Sequence, residues 1–312
     1  MRWTAVVNPT AGRGRTRKLL PRLVDALAGT DLDVDVRVSE DLDDAISIAR
    51  GAFDEGRGVA ACGGDGTVNA LAGVAADHGG VLGIVPTGAG NDFARHLGLD
   101  RRHWLDSVAL LETGQIGAVD LGRAELAGSR DATETTVRWF TSVANAGFDA
   151  EANRWANGVR WVTGSTLYVL ALLRTLAVYR PRPMCVRVDD SVWEGSAWLV
   201  AVGNTRWYAG GMMITPGAEV DDGLLDVCIV GDASTAELLV RFPRVFKGTH
   251  TALERVTTLR GASVEISTPD GAHAGLDLWA SGERVGPLPV SLETMPGSLA
   301  VLVPARSPLP PP

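Results

Sequence analysis

The stretch GVAACGGDGTVNALAGVAA, residues 58–76, decides the fold. Gly58–Cys62 is a short, uniformly apolar run, the pattern of a strand buried on both faces. Val68–Ala76 reads as a helix, and GGDGT (Gly63–Thr67) joins the two. A strand turning on glycines into a helix offers free backbone N–H groups and a positive dipole end. Glycine has no Cβ, so a phosphate can come close to the backbone. Asp65 can bind a metal ion directly or through water and so offset phosphate charge. The plain alternative is a tight turn with Asp65 as a solvated cap.

The same logic repeats outward from this stretch. Val81–Val85 is strand-like and leads through PTGAGND (Pro86–Asp92) into the short helix FARHLGL. Thr87 can donate to a phosphate, and Asn91 or Asp92 can cap the helix. Upstream, Trp3–Val7 ends at NPTAGRGR (Asn8–Arg15), and Leu19, Leu20, Leu23, Val24 and Leu27 follow at helical spacing. Val34–Val38 alternates with polar residues, and Ala45–Phe53 suggests another helix. Repeated β-α units predict an α/β domain over 1–118, a doubly wound parallel sheet whose ligands sit beyond the strand carboxyl ends. None of these loops is a Walker A or a GxGxxG pattern.

After about residue 118 the pattern changes to apolar alternation, at 116–124, 136–146, 184–190, 195–203, 224–230 and 261–267. It predicts a β-rich, sandwich-like domain over 119–305 with helices near 164–179 and 234–246. Leu299–Val303 is a candidate to return to the first domain, and residues 306–312, RSPLPPP, read as a disordered tail.

The 312 residues carry 29 basic and 37 acidic side chains, a net charge of −8. Arg154–Arg187 holds six of the arginines and no acid. Overall acidity argues against a nucleic-acid coat but leaves room for one anionic partner at one place. Hydrophobic residues make up 46% and charged ones 21%, enough apolar material for a sizeable core. Cys62, Cys185 and Cys228 lie far apart and read as reduced thiols of a cytoplasmic protein. No signal peptide or membrane-spanning run is expected. The oligomeric state stays open, a homodimer included.

VNPTAGRGR (7–15), GGDGTVNALAGV (63–74) and GIVPTGAGNDFARHLG (83–98) together resemble the soluble diacylglycerol kinase family, which also includes sphingosine, ceramide and bacterial lipid kinases. The resemblance continues through VDLG (119–122), NAGFDAE (145–151), VGNTRWYAGGMMITPGAEVDDGLLDV (202–227) and KGTH (247–250). GGDGT alone is shared with NAD kinases; TGxGNDFAR and the DDGLLDV segment are more specific to lipid kinases. The resemblance implies an ATP-dependent kinase that phosphorylates a lipid hydroxyl, diacylglycerol by default. Its ATP contacts would fall on Asn8, Pro9, Thr10, Ala11, Gly12, Ser39, Gly63, Gly64, Asp65, Gly66, Thr67, Asn69 and Thr87. An acidic network of Asp65, Asp92 and Asp120 would surround catalytic Mg²⁺. A second, structural Mg²⁺ would use Glu219, Asp222 and the backbone of Leu224. Read without the resemblance, those residues form an acidic turn entering a strand.

One residue departs from the family pattern. Its usual Asp-Gly-Glu, where the Asp is the proposed base, matches Ser281-Gly282-Glu283 here. A serine has no useful basicity near neutral pH, and general-base help is worth roughly 10²–10⁴ in rate. Positioning and charge neutralisation carry most of phosphoryl transfer, so activity can survive. Glu283 could substitute if one strand kept it on the face of Ser281, whereas Asp277 would lie about 13 Å away along a strand. Two rivals stand: an NAD kinase-like enzyme, and a catalytically impaired nucleotide- or lipid-binding regulator. The basic segment Arg154–Arg187, with Trp155, Trp161, Tyr168 and Tyr179 beside LYVLALL, suits an anionic membrane surface. That would place the protein peripherally on the inner face of the plasma membrane; ordinary core packing is the alternative.

Overall fold

The computed structural model describes residues 1–126, 137–148, 175, 179–269 and 275–304. The chain divides into two compact units. The first comprises residues 1–121, 220–223 and the C-terminal residues from 295; the second comprises 122–219 and 224–294.

In the first unit, β1 (Trp3–Val7), β2 (Val34–Val38), β3 (Gly58–Gly63) and β4 (Val81–Pro86) are parallel, in the order β2-β1-β3-β4. The end of β15 (Val290–Val303) adds a fifth parallel strand beside β4, with Ala300 opposite Val81. Every residue of β1 and β3 is buried, which explains their uniformly apolar sequences. β2 sits at the edge and is only half covered. Helices α1 (Ala11–Ala28), α2 (Leu42–Asp54), α3 (Asp65–His78), α4 (Asp92–His96) and α5 (Trp104–Thr113) connect the strands. Trp3, Leu23, Leu27, Val85, Trp104 and Leu302 meet in one core. The Asp41 carboxylate caps α2 by accepting from the Asp44 N–H, and Gly79 ends α3 in the left-handed conformation.

The second unit is antiparallel. Its strands are the end of β5 (Gln115–Leu126), then β6 (Val137–Phe140), β7 (Val143–Gly147), β8 (Arg182–Val188), β9 (Ser191–Gly203), β10 (Leu225–Gly231), β11 (Val256–Gly261), β12 (Ser263–Ser267), β13 (Asp277–Ala280), β14 (Glu283–Pro287) and the start of β15. Strand β9 shows why 195–203 is apolar throughout. Val200 and Val202 enter one core with Met184, Ile229 and Leu292, while Leu199 and Ala201 enter another with Phe148, Met212 and Val245. Successive side chains point to opposite faces, and both faces are covered.

Three sequence expectations change here. The run 136–146 is two strands, parted at Thr141–Ser142. The run 261–267 is the end of β11 and all of β12; the Asp189 carboxylate accepts from the N–H groups of Ala262 and Ser263 where they part. The helix expected over 234–246 is α6 (Thr235–Arg241) followed by a 3₁₀ turn, Phe242–Lys247. Pro243 lacks an N–H and cannot continue the α-helical ladder. The helix expected near 164–179 falls almost wholly outside the described residues.

Candidate active site

The first unit brings its three glycine-rich loops together at the carboxyl ends of β1, β3 and β4. Asn8 follows β1, and its Nδ2 donates to the Thr67 hydroxyl (2.9 Å). The Asn8 Oδ1 accepts from the N–H and hydroxyl of Thr10 at 3.0 and 2.7 Å. The loop then makes a left-handed turn at Gly12, Arg13 and Gly14 before α1 proceeds. A Cβ on Gly12 would stand 2.8 Å from the Thr87 carbonyl oxygen, and one on Gly88 would run into the Cα of Gly64. These glycines therefore serve loop-to-loop contact. Around Gly66, and around Gly14 in the first loop, the space is open, so a ligand can approach the backbone closely there.

Asp65 lies in the first turn of α3 and reaches into the next loop. Its two carboxylate oxygens accept from the N–H groups of Asn91 (2.7 Å) and Asp92 (2.6 Å), at the start of α4. Asp92 is buried and pairs with Arg95 at 2.6 Å. Both carboxylates border Gly90, where a Cβ would lie 2.5 Å from Asp65 Oδ2 and 3.6 Å from Asp92 Oδ2. Two acids around a space kept clear by a glycine suit a hard divalent cation held partly through water. Asn91 takes the left-handed conformation and accepts from the Gly88 N–H through its side chain (3.1 Å), so it fixes the loop without capping α4. Two arginines border the same loops. Arg101 donates to the Ala89 carbonyl, and Arg15 reaches the Arg101 carbonyl at 3.5 Å.

Several sequence candidates turn out to be engaged internally. Thr87 is fully buried and its hydroxyl bonds to that of Thr16 at 2.7 Å. A hydroxyl so placed supports the loop; it does not stand ready as a phosphate donor. Ser39 is buried at the end of β2, bonded to the Val7 carbonyl. Asn69 lies buried in α3, and Gly63 packs under the Thr67 side chain. Pro9 lies within the Asn8 turn, which the Ala11 N–H closes by donating to the Asn8 carbonyl at 3.2 Å. Asp120 on β5 accepts from the N–H of Gly223 and of Gly297, each at 2.7 Å. It thereby ties the DDG loop and the last strand to β5. The Glu219 carboxylate is ion-paired with Arg206, whose Nε also donates to the Ala218 carbonyl (3.0 Å). Among the described residues no three acidic, histidine or cysteine side chains converge as a metal cage. Glu219 is thus held by a guanidinium, as Asp92 is by Arg95; Asp222 and the Leu224 carbonyl are the loop's other oxygen donors.

The second unit contributes an apolar pocket of about 100 Å³. Trp198, Leu199 and Val230 from β9 and β10 form one side, and Leu238, Phe242 and Val245 another. Phe148, Tyr208, Ile214, His250, Leu253 and Val256 complete it, with Arg241 as its charged lining residue. His250 is buried, and its Nε2 donates to the Ile214 carbonyl at 3.1 Å. Its Nδ1 is then a bare lone pair without a protein partner. Burial pushes the His250 pKa below its ordinary value, with the Ile214 bond opposing. Sequence reading named KGTH but assigned His250 no role. The cavity itself was not legible, because its walls come from many separated segments between Phe148 and Val256.

Ser281 and Gly282 form the turn of the β13–β14 hairpin, with φ of 48° and 87°. Two successive positive φ values mark a type I′ turn, which favours Asn, Asp or Gly first and Gly second. The Ser281 Oγ is buried with no partner, while its N–H donates to the Val143 carbonyl (3.0 Å). Glu283 begins the returning strand opposite Ala280 and is exposed. A hairpin turn separates it from Ser281, so the same-strand alternation that would place Glu283 beside Ser281 does not apply. Asp277 is held by Arg284 through bonds of 2.7 and 2.8 Å.

Residues 2–124 match the diacylglycerol kinase catalytic domain, and residues 142–303 match the YegS C-terminal NAD kinase beta sandwich-like domain. The diacylglycerol kinase of Mycobacterium tuberculosis (strain ATCC 25618 / H37Rv) is 34% identical over 303 residues, covering 96% of this chain and 94% of that protein. A crystal structure of a diacylglycerol kinase from Bacillus anthracis superposes with a TM-score of 0.72 at 20% identity, covering 98% of each chain. Yeast NADH kinase shares the fold more distantly, with a TM-score of 0.51 at 11% identity over 98% of this chain and 84% of that one. With both halves matched in order, the chain belongs to the diacylglycerol kinase and YegS-like family of lipid kinases.

Proposed function

We propose that this lipid kinase transfers the γ-phosphate of ATP to the free hydroxyl of diacylglycerol. The observation that carries the acceptor class is the cavity of the second unit, lined by tryptophan, leucine, isoleucine, valine and phenylalanine side chains. A soluble dinucleotide has no apolar chains to bury in such a chamber; an acylated glycerol does.

On the donor side, the open position at Gly66 and the N-terminus of α3 would take nucleotide phosphates. Arg15 and Arg101 would add positive charge at that edge. Asp65 and Asp92 would hold Mg²⁺, which when bound neutralises charge building on the transferred phosphoryl group. The Asn8–Thr67 and Asp65–Asn91 bonds keep the three loops fixed while the substrate changes, so little reorganisation is needed at the reacting phosphate. Asp120 acts at one remove, by holding the loop that carries Asp221 and Asp222.

Ser281 favours a second reading, a slow or inactive member of the family, because no carboxylate occupies that turn. Incubation with labelled ATP, Mg²⁺ and a total lipid extract separates the readings. Label in phosphatidic acid supports the main one. Label only in a soluble dinucleotide contradicts it, and nucleotide binding without any labelled product supports the second.

A further inference from the structure

The segment Thr235–Lys247 is apolar on two faces. Leu238, Arg241, Phe242 and Val245 line the cavity, at spacings of three, one and three residues. Ala236, Leu239, Val240, Pro243 and Phe246 form a second helical stripe, offset from the first and facing solvent. Val240 is 80% exposed, Phe246 51% and Leu239 44%. Single exposed apolar residues are ordinary, but a contiguous stripe marks a contact surface. Phe246 also packs edge-to-face on Phe242, with ring centroids 5.8 Å apart, which joins the outer stripe to the cavity wall.

The charges say what covers this stripe. Glu237 is the one acid of the segment, and it is paired with Arg241 at 3.4 Å. Arg244 and Lys247 stand exposed beside the stripe. The segment is thus net positive on a chain whose net charge is −8. An apolar stripe flanked by cations fits the headgroup boundary of an anionic bilayer. A second copy of this acidic chain would offer far less attraction. We propose that Thr235–Lys247 docks the protein on an anionic membrane, with Leu239, Val240 and Phe246 entering the acyl boundary and Arg244 and Lys247 on lipid phosphates. The cavity's wall then lies at the bilayer surface, where an acyl chain can leave the membrane for the cavity. Most of the Arg154–Arg187 segment lies outside the described residues. The docking claim rests on the lipid-acceptor reading only for its purpose.

The test is vesicle flotation without ATP, so that binding is read apart from catalysis. Vesicles of phosphatidylcholine alone are compared with equal parts of phosphatidylcholine and phosphatidylglycerol, and the protein's oligomeric state is measured in parallel. The wild type should float with the anionic vesicles and be released by high salt. Val240→Asp with Leu239→Asp, and separately Arg244→Glu with Lys247→Glu, should each lower partitioning at least tenfold. Both variants should keep wild-type activity on a monomeric short-chain diacylglycerol, which shows that they fold. Unchanged partitioning in either variant, or no anionic binding by the wild type, overturns the proposal. So does a stable dimer that the Val240→Asp, Leu239→Asp pair dissociates, since the stripe is then an interface between copies. Lack of kinase activity alongside intact anionic binding would count against the proposed reaction and leave the docking surface standing.

Discussion

The glycine-rich loops of the first unit and the cavity region of the second are finished to different degrees. In the loops, Asn8, Thr67, Asp65, Asn91, Thr16 and Thr87 bond to one another or to neighbouring backbone. Around the second unit's cavity and hairpin, His250 Nδ1, Ser281 Oγ and Asn145 Oδ1 are buried without partners. Leaving a buried polar atom unpaired costs about 1–3 kcal/mol. The loops are preorganised, as charge stabilisation requires, whereas the second unit keeps polar groups that a bound acceptor or water can satisfy.

Substitutions on each side can break or sharpen that contrast. Asp65→Asn should cost most, about a 10³-fold fall in turnover, because it weakens both the loop bond to Asp92 N–H and the proposed cation site. A steady-state assay showing less than a tenfold loss would remove Asp65 from the reaction. Ser281→Asp should raise turnover by about 10²-fold, since an aspartate fits a type I′ turn and supplies the missing base. An unchanged rate would mean that the hairpin does not face the acceptor hydroxyl. Gly88→Ala should destabilise the protein by about 2 kcal/mol in denaturant unfolding, because its Cβ meets rigid backbone at Gly64. Val256→Phe, which fills the cavity, should raise KM for long-chain diacylglycerol about tenfold and leave a short-chain acceptor nearly unaffected. Equal effects on both would take the acyl chain out of the cavity.

The smallest effect concerns pH. Burial lowers the His250 pKa below 6.5, so the unfolded chain binds that proton more readily than the folded one. The stability tied to a neutral His250 is therefore present above pH 6.5 and fades as pH falls below it. His250→Gln should flatten the fall in Tm between pH 6.5 and 5. A slope identical to wild type would assign that fall to other groups.

The first unit was the more legible from sequence because its strands and turns are local. Trp3–Val7, Gly58–Cys62 and Val81–Val85 are short buried strands, each followed at once by its loop. What stayed hidden was what the glycines do. A glycine packed against another loop's glycine, such as Gly88, and one with open space around it, such as Gly66 or Gly14, look alike in sequence. Thr87 misled for a similar reason, since its partner Thr16 lies 71 positions away. Arg101 left no trace, because an Arg-Arg pair after a helix carries no motif. In the second unit, apolar alternation revealed strands but not their breaks at Ser142 and Ala262, which depend on distant partners such as Asp189. The dual apolar faces of Thr235–Lys247 were readable in principle from spacing. Their division into cavity wall and outer stripe required the fold.

The central claim is most directly tested by product identification with purified protein, γ-labelled ATP, Mg²⁺ and defined long-chain diacylglycerol in anionic vesicles. The account predicts labelled phosphatidic acid, and more of it from Ser281→Asp. No labelled phosphatidic acid from either protein, with label appearing in a dinucleotide supplied alongside, would contradict it.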